Sequence, residues 1–363
     1  MKPKEPVMKI KPVNVGSFFS GLETTTKALN NLGVPNKLKF ICEMKPKLRQ
    51  LVQMSHGPEV IEKDAFVAVQ SDLSPVDLLQ VSPPCQFLSP AGQQKGCSDE
   101  RYPTLFIAES YLDKLADHEK PKAILMEESH ALLLQKKFKA IRKKVVSGFK
   151  KHKYRIFTRI LNTKDHGIPH NRPRAFVLAL KLKKGREFSW PKKLSYQVPL
   201  SKLLIDPTKP TNDPMTAPSK TMTKRAQDII DDALAQAQAK DIDTSKQTVF
   251  IDCGSTPGWS TWNVDRTPCL TASRAASGGH FMSTHNRLMD TEEIMRLQGF
   301  IPDDIKRSHI KRSGMNFALG NAISCNVLER LLPKVLWASG IVDKVVKDRW
   351  EDKAWVKQGA WWA

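Results

Sequence analysis

The sequence predicts an α/β protein with a mostly parallel sheet and a second, smaller and irregular domain. Two observations carry that expectation. Short apolar runs alternate with helix-like stretches over the first 180 residues, the pattern of strands joined by crossover helices. Near Lys183 the alternation gives way to proline-rich, weakly periodic sequence, and helical periodicity returns only from Asp290. The expected units are a main domain of residues 1–185 and 286–342, an inserted domain of residues 186–285 and a tail of residues 343–363.

The elements follow in order. VNVGSFF, residues 13–19, reads as a buried strand; SGLETTTKALNNLG reads as a turn and helix with Gly33 as its stop. KFICE, residues 39–43, is a second strand ending in an acid, and a helical stretch starts at Lys45. Val76–Val81 is a further strand, closed by Pro83-Pro84. TLFIAESYLDKLAD (104–117) is helical, KAILMEES (122–129) an apolar run ending in acids, and Lys136–Phe149 a basic helix. YRIFTRIL (154–161) and RAFVLALKL (174–182) are strands. In the inserted region TVFIDC is strand-like and KRAQDIIDDALAQAQAK helical; late in the chain, TEEIMRLQGF and MNFALGNAISCNVLERLLPKVLWASG are helical. The tail carries four tryptophans and reads either as a docked amphipathic helix or as an interaction tail.

Charge narrows the partner class. The 363 residues hold 58 Lys+Arg against 37 Asp+Glu, a net +21, which points to a polyanion such as nucleic acid. No apolar run approaches the ~20 residues of a membrane span, and the lysine-bearing N-terminus has no apolar signal region. Six cysteines without a CxxC pair argue against a zinc site and a disulfide framework, so no metal and an intracellular setting are expected.

Ligands of open α/β sheets bind at the carboxyl ends of the strands. Phe19-Ser-Gly-Leu-Glu-Thr24, Glu43 and Asp72 are placed there: a Gly-bearing turn for close backbone approach, an acid for ribose hydroxyls and an acid for an exocyclic amine. Together they describe a nucleoside-containing cofactor, although a lone acid after a strand is more often a helix cap. Cys85 follows Pro83-Pro84, which restrict its backbone. A free cysteine is usually a small buried hydrophobe; its place at the sheet edge, before the polar loop Gln86–Gly96, makes it a candidate nucleophile under a lid. Glu127-Glu128 end the next strand and read either as an exposed helix cap or, held near Cys85 and partly buried, as a glutamate able to donate a proton. Arg172 and Arg174 stand at i, i+2 at a strand start, suited to an anion or a polar base edge, or to a solvated basic turn.

In this order the motifs resemble the DNA (cytosine-5) methyltransferases, collinearly over nearly all of the first 180 residues and again from about 287 to 332. Phe19-Ser-Gly21 is similar to the family's cofactor loop, Glu43 to its ribose acid, Asp72 to its adenine-contacting acid and Pro84-Cys85-Gln86 with Ser89 to its nucleophile motif. Gly92-Gln-Gln-Lys-Gly-Cys-Ser-Asp99-Glu-Arg101-Tyr-Pro-Thr-Leu-Phe106 resembles the loop that follows, Glu127 the catalytic glutamate, Arg172 and Arg174 the paired arginines, and Gly320-Asn321 the cofactor-closing turn. The resemblance implies a Rossmann-like fold and S-adenosyl-L-methionine bound by Phe19, Gly21, Leu22, Glu23, Thr24, Glu43, Met44, Asp72, Leu73, Pro84, Asn321 and Ala322. It implies methyl transfer to carbon 5 of a flipped-out cytosine in double-stranded DNA through a Cys85 adduct at carbon 6, with Glu127, Arg172, Arg174 and Ser89 assisting. DNA contacts are expected from Gln86, Ser89, Lys95, Arg101, Trp259 and Arg274, with residues 186–285 as the target-recognition domain. Trp262, Arg266 and His280 read equally as contacts or as packing.

Three positions depart from the family pattern: Glu23 replaces a loop glycine, Glu128 an asparagine that braces the nucleophile loop, and His170 a glutamine. Two other readings stay open, an RNA cytosine-5 methyltransferase of the same fold and a catalytically weak DNA-binding relative. The family's tRNA-modifying members carry a late Cys-Phe-Thr, absent here. A monomer is compatible with the resemblance, as are a restriction system with a cognate restriction enzyme, phage self-protection and an orphan role. The setting is the cytoplasm or nucleoid of a prokaryote or infected host, or a nucleus.

Overall fold

The computed structural model describes residues 11–89, 92, 94–206, 222–255, 261–301 and 310–358. Seven strands form the main sheet: β1 (Val13–Phe18), β2 (Asn36–Cys42), β3 (Val60–Glu62), β4 (Leu78–Val81), β5 (Ala123–Ser129), β6 (Arg155–Asn162) and β7 (Pro173–Leu180). Their order is β3-β2-β1-β4-β5-β7-β6. β1 to β5 run parallel, and β7 is antiparallel to both β5 and β6. The order reverses between β1 and β4, which opens a crevice at their carboxyl ends.

The inner strands read as apolar runs because both faces are covered. All seven residues of β5 are buried. Its side chains alternate between two cores: Leu125 joins Val15, Leu178 and Leu328 on one face, and Met126 joins Phe18, Leu79 and Phe87 on the other. The edge strand β6 exposes Arg155, Thr158 and Arg159, charged and polar groups that discourage edge pairing.

A second sheet, β8 (Val249–Ile251), β9 (Trp262–Val264), β10 (Phe281–Met282) and β11 (Arg287–Leu288), is antiparallel in the order β11-β10-β8-β9. The helix Lys224–Gln238 covers one side of it through Ile229, Ile230, Ala233 and Ala237. From the other side Phe250 and Met282 reach into the core of the main sheet.

Several details differ from the sequence reading. β3 has three residues, too few for a periodic signal. β7 runs against its neighbours, and strand direction leaves no mark on an apolar run. The long late helical stretch is two helices, Arg312–Asn321 and Cys325–Ala338. Phe188, Trp190 and Leu203 pack on the main core rather than on the small sheet. The tail is docked as far as it is described: Trp350 is fully buried and donates from Nε1 to Glu329 Oε2 at 2.6 Å, and Arg330 Nε meets Asp348 Oδ2 at 3.0 Å.

Candidate active site

Two clusters share the carboxyl edge of the sheet. The first lies between β1 and β2. The backbone turns tightly at Phe19 (φ 58°), Gly21 (φ 55°) and Glu23 (φ 53°), conformations costly for side-chain-bearing residues and easy for glycine. Glu43 follows β2 and receives Gly21 N at 3.0 Å and Lys45 N at 2.9 Å, so it orders the turn. Glu23 does not face the open side of the turn. It is fully buried and caps the helix Thr24–Asn31, accepting from Thr26 N at 3.3 Å and Thr26 Oγ1 at 3.0 Å. Burial raises its pKa, with Ser17 and Thr26 pulling the other way.

The acid expected at the end of the third strand needs correction. β3 ends at Glu62, and the acid beside that end is Asp64, whose carboxylate caps the helix Ala65–Ala68 by accepting from Phe66 N at 2.7 Å. Asp72 lies past that helix, exposed, in the connection to β4, with Leu73 buried beside it. The three-residue β3 carries no periodic signal, so nothing local in the sequence ties Asp64 to a strand end. Burial pushes the Cys42 thiol up to about 12, with Asp64, Glu43 and Glu62 adding to the effect, which places these acids around the end of β2. Leu22 and Thr24 are buried, Met44 is 68 % exposed, and Pro84 is half-buried.

The second cluster lies between β4, β5 and β7. Ser82 N donates to Phe18 O at 3.2 Å, and Gln80 bridges Thr25 Oγ1 (2.6 Å) to Ser82 Oγ (3.3 Å), so the cofactor-side turn and the Pro-Pro-Cys segment are tied together. Cys85 opens one helical turn: its carbonyl receives Leu88 N at 3.0 Å and Ser89 N at 2.8 Å, anchored by buried Phe87 and Leu88. Gln86 is exposed and Ser89 half-buried. Burial pushes the Cys85 thiol up to about 12, Glu128 and Glu127 add to this, and Arg174 and Arg172 oppose it.

The antiparallel run of β7 brings its start to the end of β5, pairing Arg174 with Ser129 and Phe176 with Glu127. Arg174 Nε sits 3.1 Å from Glu127 Oε1, an ion pair without hydrogen-bond alignment, in a largely desolvated spot. Burial raises the pKa of Glu127, with Arg174 and Arg172 pulling the other way. Glu128 is 1 % exposed; it accepts from Ser129 N, its Oε1 has no partner, and burial raises its pKa well above the carboxylate range. Arg172 is turned away from an open position. Its Nη1 and Nη2 donate to Leu270 O and Ala322 O at 2.7 Å each, so it braces backbone.

Of the remaining site residues, Asn321 is exposed at its helix end, and Ala322 is buried and held by Arg172. Gly320 is required by close approach: a Cβ there would meet Thr271 O at 2.5 Å and Ala272 Cα at 2.6 Å. Lys95 is exposed, whereas Arg101 holds Asp99 through Nε and Nη2 at 2.7 Å each. Arg274 is engaged by Asp252 at 2.9 Å and Gly254 O at 2.6 Å. Trp259 lies outside the described residues. Trp262 donates to Gln236 at 3.1 Å and His280 is fully buried, so both serve packing in this structure. Cys269, passed over in the sequence, lies 3.8 Å from Arg174 Nη1; nothing local in the sequence marked it. Among the described residues no group of three or more His, Cys, Asp or Glu side chains is placed to hold a metal, and no helix is long and apolar enough to cross a membrane.

The family model for C-5 cytosine-specific DNA methylase matches residues 13–337. The type II methyltransferase M.NgoBI of Neisseria gonorrhoeae is 28 % identical over 314 residues, 86 % of this chain and 89 % of that protein. The fold matches the Entamoeba histolytica methyltransferase EhMeth with a TM-score of 0.62 at 19 % identity, over 90 % of this chain and 98 % of that one. It matches a putative DNA modification methyltransferase encoded within an Escherichia coli prophage with a TM-score of 0.62 at 17 % identity, over the same shares. The chain belongs to the C-5 cytosine-specific DNA methylase family and is a DNA (cytosine-5-)-methyltransferase.

Proposed function

We propose that the chain methylates carbon 5 of a cytosine flipped out of duplex DNA, with Cys85 as a transient covalent nucleophile. The observation that carries this is the convergence of Cys85, Glu127 and Arg174 at one desolvated edge. The charges acting on Cys85 are those of Glu128, Arg174, Glu127 and Arg172, and Arg174 is paired with Glu127 at 3.1 Å.

Cytosine carbon 5 is a weak nucleophile. Attack of the Cys85 thiolate on carbon 6 forms an S–C bond and shifts ring electrons toward carbon 5. Glu127, its pKa raised by burial, donates a hydrogen bond or proton at ring N3, so that negative charge does not build on the ring. Arg174 contacts the ring carbonyl and holds Glu127 in register. S-adenosyl-L-methionine supplies a methyl group on a positively charged sulfur. Loss of the carbon-5 proton and expulsion of the thiolate restore the ring. Because the thiol is pushed up to about 12, its proton must be taken by a base as substrate binds.

The first cluster fits the donor. Glu43 and Asp64 offer carboxylates at adjoining strand ends, and the turn at Phe19–Glu23 brings backbone to the crevice. A stacked base cannot reach Cys85, so the base must leave the duplex. The segment 86–102, with exposed Lys95, is suited to closing over it, and residues 186–285 to reading the target.

The test is transfer of labelled methyl to duplex DNA and to tRNA, with bisulfite sequencing of the DNA product. Incorporation into DNA, its loss in Cys85→Ala, and a covalent adduct with DNA bearing 5-fluorocytosine are expected. Incorporation into tRNA alone would replace the substrate; an active enzyme that forms no adduct would remove Cys85 from the mechanism.

A further inference from the structure

The lead-in to β7 and the segment 267–270 of the inserted region are locked side by side. His170 and Thr267 form a parallel bridge. Thr267 N donates to Pro169 O and Asn171 N to Thr267 O, each at 2.9 Å. Leu270 N donates to His170 Nε2 at 3.1 Å, which assigns the imidazole proton to Nδ1, 3.0 Å from Leu297 O. Burial and the neighbouring Arg172 hold His170 neutral by lowering its pKa well below the usual value. Arg172 adds its 2.7 Å bond to Leu270 O. The departure at His170 thus has a use: Nδ1 anchors the ring to Leu297 O, and Nε2 holds Leu270 N in the segment that carries Cys269.

Cys269 lies between the anchored residues Thr267 and Leu270. Its Sγ is 3.8 Å from Arg174 Nη1, while Nη1 also donates to Pro173 O at 2.8 Å and Nε faces Glu127 at 3.1 Å.

We propose that Cys269 is a positioning residue, a sulfur acceptor delivered from the inserted region that fixes the Arg174 guanidinium so that Nε stays on Glu127. The proposal rests on the reading of Glu127 and Arg174 as the groups that meet the cytosine. Burial alone would raise the Cys269 thiol, but the Arg174 and Arg172 guanidinium groups more than offset it and hold its pKa below the ordinary value, as expected for a sulfur that faces those cations. Because Cys269 sits in the inserted region, the orientation of Arg174 depends on how that region docks on the sheet.

Two experiments test it in the full chain. In the first, Cys269→Ala is expected to lower kcat roughly tenfold, as for the loss of one hydrogen bond to a charged group, with KM for DNA and donor little changed. Cys269→Ser, which keeps an acceptor, recovers part of that loss. Wild-type kcat in Cys269→Ala, or a serine variant no better than alanine, would overturn the assignment. The second does not depend on transferase activity. Iodoacetamide alkylation of Cys269, mapped by mass spectrometry, should slow roughly threefold or more at neutral pH in Arg174→Gln, because the thiol loses its cation. Equal rates in the two proteins would show that Arg174 and Cys269 do not interact, whatever reaction the enzyme performs.

Discussion

Glu43 and Glu127 each stand at the carboxyl end of a strand in the same sheet, yet they occupy different environments. Glu43 is partly exposed and takes two backbone N–H groups. Glu127 is 7 % exposed, paired with Arg174 and raised in pKa by burial, beside the more deeply buried Glu128. One half of the edge is wet and shaped by backbone; the other is dry and held by opposed charges. A wet acid suits reversible binding of a polar ligand. A dry acid suits proton transfer, because desolvation moves its pKa toward the working range. On the proposed function, the edge is divided between holding a donor and performing chemistry.

That division can be broken. Cys85→Ala should abolish transfer, a loss of at least ~10³-fold, while leaving donor binding intact. A loss of donor binding in the same variant would mean that the halves are not separable. Next in size, Glu127→Gln should lower kcat by about 10²–10⁴-fold with KM for the donor unchanged; steady-state kinetics in both substrates decide it. On the wet side, Glu43→Ala or Asp64→Ala should weaken donor affinity by roughly tenfold with a smaller effect on kcat, as for one lost charged hydrogen bond. Asp72→Ala should weaken it less, and titration calorimetry with S-adenosylhomocysteine orders the three. An Asp72 variant weaker than Asp64→Ala would reverse the placement argued from β3. The smallest effect is a displacement in pH. Above its own raised pKa Glu128 is ionised and raises the Cys85 thiol, so in that pH range Glu128→Gln removes a negative charge and lets the thiolate form at lower pH. The rising limb of kcat/KM against pH should move to lower pH, and an unmoved limb would show that Glu128 stays protonated throughout.

The sequence was informative where burial and chemistry are local. The runs 13–19, 39–43, 76–81 and 122–129 overlap β1, β2, β4 and β5, because strands covered on both faces must be apolar throughout. Cys85 was marked by its prolines, and Glu127 and Arg174 by standing at strand ends. Asp64 was missed because its strand is three residues long, and Arg172 was given a ligand-facing role although its guanidinium serves two carbonyls. Trp350 gave no signal of its place, since its partner Glu329 lies in a helix of another segment.

By itself the sequence determined which segments are buried, which residue types are available for chemistry and the order in which they occur. Only the tertiary structure decided that β7 runs antiparallel and so delivers Arg174 to Glu127, that Arg172 donates to two backbone carbonyls, and that Cys269 stands at the guanidinium. The physical reason is that periodicity and propensity report how one segment meets solvent. Strand direction, side-chain aim and contacts between distant segments are set by what packs against them, and that information resides in no single stretch of chain.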